Sequence, residues 1–423
     1  MGAAETQAAA AACVAAAAAA CTCLGASASA SATASASARQ RSPGDDRPAA
    51  AAERPGVAYS PNPKKLKLFA ELCETLARRG IHMYALGGAD DSGKPVPALV
   101  LHKLTDDLTL AASSTEAAAR VRAVQALADA HPSIAVLDPL PAVECLRDRR
   151  AMASAVRALP AVCPPGELAA ASAVTVRMPC TVEVLSAGHP PPPDAETSLL
   201  HNRALIVKSA AACATPEAHF MALIHSWDQL ASLPEVAAES GAICPAFPAI
   251  VQPYIPHGDT VYKIYVVGSA PGSGRQPRHY VVPKPSLRLP AAPAVASTEP
   301  PPPLLFDALH PSRTAAGMAL FPPLPTKANA SADGAEAAAD ADTYPPPDWL
   351  IAGLNRELQK SLGLTLFGYD LVREEGTSED KWWILDVNYF PSYTGCEGMM
   401  MVALADTVEE MIAQQEKQSS SGR

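Results

Sequence analysis

Leu364-Thr365-Leu366-Phe367-Gly368-Tyr369-Asp370, followed by Ile384-Leu385-Asp386-Val387-Asn388-Tyr389-Phe390-Pro391, is the stretch on which the fold turns. Both runs are apolar enough to be strands, and each carries an acid. Side chains two apart on a strand point to the same face, so Asp386 and Asn388 project together. Two carboxylates and one carboxamide are hard oxygen ligands. They suit Mg2+ rather than zinc, and Mg2+ commonly bridges to nucleotide phosphates. Two uncompensated acids among apolar strands would be costly, so a metal or a cationic partner is expected. An isolated Asp-x-Asn would read as a strand-end turn; Asp370 just upstream favours the metal.

Lysines in strands form a second set. Lys208 ends Leu205-Ile206-Val207, and Lys263 lies inside Val261-Tyr262-Lys263-Ile264-Tyr265-Val266-Val267. Beside a Mg2+ site the natural partner of such lysines is phosphate, against the plainer alternative of edge-strand lysines reaching for solvent. The chain has no GxxxxGK[ST] loop, no GxGxxG and no nucleophile elbow. Gly272-Ser273-Gly274 reads as a hairpin loop. A nucleotide would therefore be held by some other fold.

Outward from these motifs, the chain has 423 residues, 48% hydrophobic and 18% charged, with a formal charge of −10. That allows about three folded units or fewer and speaks against a general nucleic-acid or membrane-surface binder, though not against local basic clefts. No run has the roughly 20 bulky apolar residues of a membrane span. Ten cysteines show no CxxC pair, so reduced thiols in an intracellular, cytoplasmic protein are expected, without structural zinc. The 42 prolines, about a tenth of the chain, exclude regular structure from parts of it.

The prolines have addresses. They gather near His189 to Pro193, Pro290–Pro303 and Pro322–Pro347, outside the strand-like motifs. Residues 1–56 are an Ala/Ser low-complexity segment, read as a disordered tail or, with Glu5 the one acid before Ser42 and Arg39 and Arg41 late, as a transit peptide, which would make a plastid or the nucleus the destination. Met1-Gly2 with Thr6 also fits the permissive myristoylation pattern. Apolar spacing predicts helices over Lys64–Gly80, Glu116–Asp129, Trp349–Leu362 and Met399–Gln415. Strands are expected at Ile81–Leu86, Ala98–Leu101, Ile134–Leu137, Leu205–Lys208, Ala249–Gln252, Val261–Val267, Thr365–Arg373 and Trp382–Val387. Strand–helix alternation implies an α/β domain first. The expected division is 57–150, 151–262 and 263–415, with a short tail at 416–423.

In this order the motifs resemble the inositol 1,3,4-trisphosphate 5/6-kinase (inositol-tetrakisphosphate 1-kinase) family of ATP-grasp enzymes. The resemblance rests on His102-Lys103-Leu104-Thr105-Asp106, Leu137-Asp138-Pro139 through Asp148-Arg149, Val251-Gln252 through Gly268, Lys284-Pro285-Ser286-Leu287, Leu366 to Asp370, and Asp386 to Pro391. Together they span about 57–415, and the Lys208–His219 spacing with Trp227-Asp228-Gln229 is most similar to the plant and algal branch.

The resemblance implies an α/β ATP-grasp fold, with a Rossmann-like N-terminal domain and two subdomains enclosing ATP. It implies transfer of the ATP γ-phosphoryl group to a hydroxyl of an inositol tris- or tetrakisphosphate, by a monomer using Mg2+, two ions. It assigns Lys65, Lys103, His219, Lys263 and Asn388 to the inositol phosphate. Arg149, Lys208, Gln252, Tyr254, Ile255 and Ser286 go to ATP, and Asp370, Asp386 and Asn388 to the metal; no general base is assigned. Three departures stand out. The loop after Lys208, Gly-containing in the family, is Ala210-Ala211-Ala212-Cys213-Ala214-Thr215-Pro216 here. Pro391-Ser392-Tyr393 replaces the common Pro-Gly-Tyr, and Phe306-Asp307-Ala308-Leu309-His310 stands in part where serines are expected. A carboxylate–amine ligase and a catalytically weak inositol-phosphate-binding protein are the alternatives.

Overall fold

The computed structural model describes residues 56–87, 94–160, 162, 174–192, 204–258, 260–269, 273–286, 300–308, 344–376 and 380–421. The N-terminal segment, Gly272 and most of both proline-rich inserts lie outside them. The chain divides into two compact units. One takes Met1–Leu140, Ser269–Ser273 and Glu397–Arg423; the other takes Pro141–Gly268 and Gly274–Cys396. The terminal helix falls in the first unit, and two five-stranded sheets fall in the second.

The first unit is built on four short parallel strands: β1 (Val57–Tyr59), β2 (Met83–Ala85), β3 (Leu99–Leu101) and β4 (Ala135–Leu137), in the order β2-β1-β3-β4. Their sequences are nearly all apolar, as strands covered on both faces must be. Helix α1 (Leu66–Ala77) buries Phe69, Leu72, Cys73 and Leu76, the residues its 3.6-residue spacing puts on one face. Gly80 ends it with φ +74. After β3 come α2 (Thr105–Leu110) and α3 (Thr115–Ala130), the latter capped by the Ser114 hydroxyl accepting from the Ala117 N–H. Ala58, Tyr84, Val100, Leu104, Val124 and Ile134 form one shared core.

The second unit holds two five-stranded sheets and, among the described residues, three helices of eight residues or more. Helix α4 spans Arg149–Arg157, with Asp148 at its N-cap. The strands are β5 (Thr175–Arg177), β6 (Val182–Val184), β7 (Leu205–Ser209), β8 (Phe220–Ile224), β9 (Ala249–Pro253), β10 (Thr260–Val267), β11 (Arg278–Pro285) and β12 (Leu304–Asp307), with α5 (Leu233–Ser240) between β8 and β9. Helix α6 (Asp348–Leu362), β13 (Leu366–Arg373) and β14 (Lys381–Tyr389) complete it. One sheet runs β12-β8-β7-β9-β6 and the other β11-β10-β13-β14-β5. The β10–β11 pair is antiparallel, so the segment holding Gly272 joins a hairpin.

Alternation along β7 divides its sheet's two faces. Leu205 and Val207 enter a core with Val184, Ala222, Ile224, Leu233 and Val251, while Ile206 faces the other way with Leu223 and Phe306. Helix α6 buries Leu350, Ile351, Leu354, Leu358 and Leu362. Gly353 on that helix has no room for a side chain, since a Cβ there would overlap Val162. The last helix, α7 (Glu397–Ser421), belongs to the first unit and buries Met400, Leu404, Val408 and Ile412. It runs past the end expected at Gln415, because Glu416-Lys417-Gln418 favours helix.

Candidate functional site

Strand register in the second unit lines three charged side chains in a row. Lys263 on β10 lies opposite Asp370 on β13, and Asp370 lies opposite Asp386 on β14. Directly opposed residues share a face and approach closely. The Lys263 Nζ donates to both Asp370 carboxylate oxygens, at 2.8 and 3.0 Å. The Asn388 amide donates to Asp386 Oδ2 at 3.0 Å, so the two residues share the face that their spacing implies.

Beside the row the ladder slips. After Asp370↔Asp386 the next pair is Leu371↔Ile384, so Leu385 is bulged out. The Leu385 carbonyl freed by this bulge accepts from Lys208 Nζ at 3.3 Å, joining β7 of one sheet to β14 of the other. Lys208 is thus held near Asp386 by a backbone device that no side-chain pattern announces.

The electrostatics follow from burial and from this pairing. Burial lifts the Asp370 pKa above its ordinary value; Lys263 opposes the rise and Asp386 adds to it. Burial draws Lys263 down, but Asp370 and Asp386 more than offset that, so its pKa is raised. Lys208 is pulled to about 8, first by burial and then by Arg149, against Asp386 and Asp370. One ammonium in contact does not neutralise two facing carboxylates. A further cation fits here, and two carboxylates with an amide oxygen are donors that Mg2+ accepts. Among the described residues no group of three or more His, Cys, Asp or Glu is placed to hold a metal.

An apolar surface adjoins Lys208. Because Lys208 and Ile206 are two apart on β7, they share a face, where Ile206 packs with Leu223, Phe306, Met221 and Tyr254. Gln252, paired with Ile206 across β9 and buried, donates to the Thr181 hydroxyl at 2.9 Å. The chain then turns: the Tyr254 N–H donates to the Ala204 carbonyl at 2.7 Å, and Ile255 is buried. His257, which sequence reasoning passed over, bridges the Ile255 carbonyl through Nδ1 and the Ser286 hydroxyl through Nε2. A carbonyl only accepts, so Nδ1 carries a proton; in the neutral ring Nε2 then accepts from Ser286. Thus Ile255 and Ser286, far apart in sequence, are tied by one imidazole.

Two site candidates border the loop after β7. His219 ends a short 3-10 turn, Pro216–His219. Arg149 opens α4, but its guanidinium is buried on the carbonyls of Ser209, Ala211 and Ala218. The departures in sequence also acquire a geometry. Ala214 takes φ +71 in the glycine-free loop. Near Ser392 the left-handed conformations fall on Phe390, φ +38, and Tyr393, φ +57, so serine there carries no such strain. Phe306 and Asp307 lie in β12, paired to Met221 and Phe220 of β8.

Lys65 and Lys103 belong to the first unit. Both follow the carboxyl ends of neighbouring strands, Lys65 after β1 and Lys103 after β3, where the connections diverge to opposite sides of β1. In open parallel sheets that divergence makes a crevice favoured by ligands. Asn62 ties the two loops, donating to the Lys103 carbonyl at 2.8 Å and to Asp107 at 3.0 Å. Burial, and then the Lys103 charge, bring the Lys65 pKa down to about 7. Such mutual repulsion is what an anion would relieve.

Two sheets that meet through Lys208, with an acid pair, strand-borne lysines and an apolar face around the junction, are the arrangement that the expected ATP-grasp fold requires. The family model described as "Inositol 1,3,4-trisphosphate 5/6-kinase ATP-grasp domain" matches residues 309–408. Inositol-tetrakisphosphate 1-kinase 1 of Oryza sativa subsp. indica is 25% identical over 354 residues, covering 82% of this chain and 81% of that relative. Inositol-tetrakisphosphate 1-kinase of Danio rerio is 26% identical over 355 residues, covering 80% and 74%. Among solved structures, ATP-grasp ligase PsnB complexed with minimal precursor has 12% identity and a TM-score of 0.45, covering 84% of this chain and 99% of that one. The chain is thus similar to inositol-tetrakisphosphate 1-kinases over about four fifths of its length, and residues 309–408 match the model of that family's ATP-grasp domain.

Proposed function

We propose that this protein is an inositol polyphosphate kinase, transferring the γ-phosphoryl group of ATP to a hydroxyl of an inositol tris- or tetrakisphosphate. The observation that carries it is the row Lys263–Asp370–Asp386, with Lys208 brought against it by the Leu385 carbonyl. Phosphoryl transfer asks the protein chiefly for positioning and for positive charge where charge develops. Asp370, Asp386 and Asn388 would hold magnesium, two ions, which would supply positive charge to the phosphate oxygens. Lys208 contacts the ATP phosphates. The face of Ile206, Phe306 and Tyr254 takes the adenine, and backbone groups around Gln252 to Ile255 and the His257-braced Ser286 fix its orientation. Lys263 and His219 bind phosphates of the acceptor and Asn388 contacts the acceptor as well; within the first unit, Lys65 and Lys103 are a site for inositol-phosphate anions.

The test is ADP release from Mg·ATP with inositol tris- and tetrakisphosphates, the product isomer resolved by chromatography, alongside amino-acid pairs. ADP formed with inositol phosphates supports the proposal. ADP formed only with amino-acid pairs would replace it with ligase chemistry, and inositol-phosphate binding without ADP would replace it with a binding role.

A further inference from the structure

Every polar atom of Asn62 is engaged, and its partners lie on both lysine-bearing loops of the first unit. Its backbone N–H donates to the Ser60 carbonyl and its carbonyl accepts from the Lys65 N–H, each at 2.9 Å. Its side-chain Oδ1 accepts from the Lys64 N–H at 2.9 Å. The two hydrogens on Nδ2 cross to the second loop, one to the Lys103 carbonyl at 2.8 Å and one to Asp107 Oδ2 at 3.0 Å. A carbonyl and a carboxylate only accept, so the neighbours fix this orientation of the amide.

The far end of the bridge is anchored. Asp107 is 2% exposed, and its other oxygen accepts from Nε and Nη2 of Arg120 on α3, at 2.9 and 2.6 Å. Arg120, Asp107 and Asn62 thus form a chain of hydrogen bonds from a 16-residue helix to both loops. Charge-assisted bonds are the strong ones, and a buried network with its members satisfied is stiff. The Lys64–Asp106 pair at 2.7 Å also joins the loops, but the Lys64 side chain is 63% exposed and such a pair adds little.

Something must hold these loops together. Burial first, and then the Lys103 charge, lower the Lys65 pKa, so the two ammonium groups are close enough to repel one another. We propose that Asn62 is a positioning residue for the acceptor, holding the loops of Lys65 and Lys103 together so that both lysines are in place before an inositol-phosphate anion binds. Affinity then gains because the loops need no ordering on binding. The identity of the anion rests on the kinase reading above; the bridge itself does not.

The test uses Asn62→Ala and Asn62→Asp in the full chain. The Kd of an inositol tetrakisphosphate is measured by titration calorimetry, with kcat and the KM for ATP alongside. Asn62→Ala should raise that Kd about tenfold while kcat and the KM for ATP stay within about twofold. Aspartate keeps the size of the side chain and caps a turn as well as asparagine does. It sets a carboxylate against Asp107 and the Lys103 carbonyl, however, so Asn62→Asp should bind at least as weakly as Asn62→Ala. In a chain already carrying Lys65→Met and Lys103→Ala, Asn62→Ala should change the Kd by less than about twofold, because the groups it places are gone.

Parent-like affinity in Asn62→Asp would reduce Asn62 to a turn cap and overturn the proposal. So would a full tenfold loss in the chain without the two lysines, or a fall in kcat with the Kd unchanged. If Asn62→Ala does not fold, Asn62→Ser, which keeps a capping oxygen but cannot span to the second loop, carries the same comparison. A parent that binds no inositol phosphate overturns the kinase reading and this proposal together, whereas a parent that binds it and an Asn62→Ala variant that binds it equally well overturn this proposal alone.

Discussion

At the scale of single residues, the decisive feature is that neighbouring acids have unlike surroundings. Asp370 is in contact with Lys263, whereas Asp386 is in contact with Asn388. Asp386→Ala removes a proposed metal ligand and with it one of the acids that support the buried Lys208 charge. Turnover should fall about a hundred- to thousandfold, with the folded circular-dichroism spectrum kept. Asp370→Ala should cost as much activity and, by leaving Lys263 unpaired, about 1 kcal/mol of stability, since the Lys263 side chain remains 34% exposed. Rates like the parent's in either variant would refute the metal assignment. Lys65, brought to about 7 by burial and then Lys103, gives a prediction with a definite sign. Between pH 7 and 10 the unfolded chain binds more protons at this lysine than the folded one, so stability rises with pH across that window and is flat below it. Inositol-phosphate binding runs oppositely, weakening above pH 7 as Lys65 loses its charge. Lys65→Met should abolish this component of both slopes, read from urea unfolding and from KM.

Elements show what a sequence can and cannot carry. Helix α1 and strands β10, β13 and β14 were legible because each holds several turns or alternations of one period. Strand β1, inside its sheet, was not read at all: Val57-Ala58-Tyr59 is a three-residue apolar run between Pro55-Gly56 and Ser60-Pro61, whereas the runs around β2, β3 and β4 are longer. The facing of Asp386 and Asn388 follows from an alternation of two. The contact of Lys263 with Asp370 follows from register, which apolar strands conceal, and the hold of Leu385 on Lys208 is made by a carbonyl that every residue has. His257 carried no signal beyond its identity; only the turn that brings Ser286 to it gives it a role. Helix α7 offers the test at this scale. Its buried Leu404 serves the core of the first unit, and Leu404→Ala should cost about 2–5 kcal/mol in urea unfolding. Arg79→Ala, which cuts that helix's partly exposed ion pairs from Asp406 and Glu409, should cost under about 1 kcal/mol. The reverse ranking would mean that charge rather than packing fastens the helix.

For the whole molecule the question is how an acidic protein takes a polyanion. Residues 1–55 hold four acids (Glu5, Asp45, Asp46, Glu53) and four arginines (Arg39, Arg41, Arg47, Arg54), so the formal charge of −10 belongs to the remainder. At long range that remainder repels an inositol polyphosphate; at contact, the lysines proposed to bind it, Lys65, Lys103 and Lys263, attract it. The two effects differ in reach. The Debye length falls from about 30 Å at 0.01 M salt to about 10 Å at 0.1 M, so moderate salt screens the distant acids first and the partly buried lysines least. The ratio kcat/KM for inositol phosphate should therefore rise as salt goes from about 10 to 100 mM, and fall only beyond that, when contact attraction is screened in turn. Lys103→Ala, which removes contact attraction alone, should raise KM and leave kcat nearly unchanged while keeping the initial rise. A monotonic fall from the lowest salt would show that the lysines dominate at every distance, and an unchanged KM in Lys103→Ala would remove that residue from the acceptor's recognition.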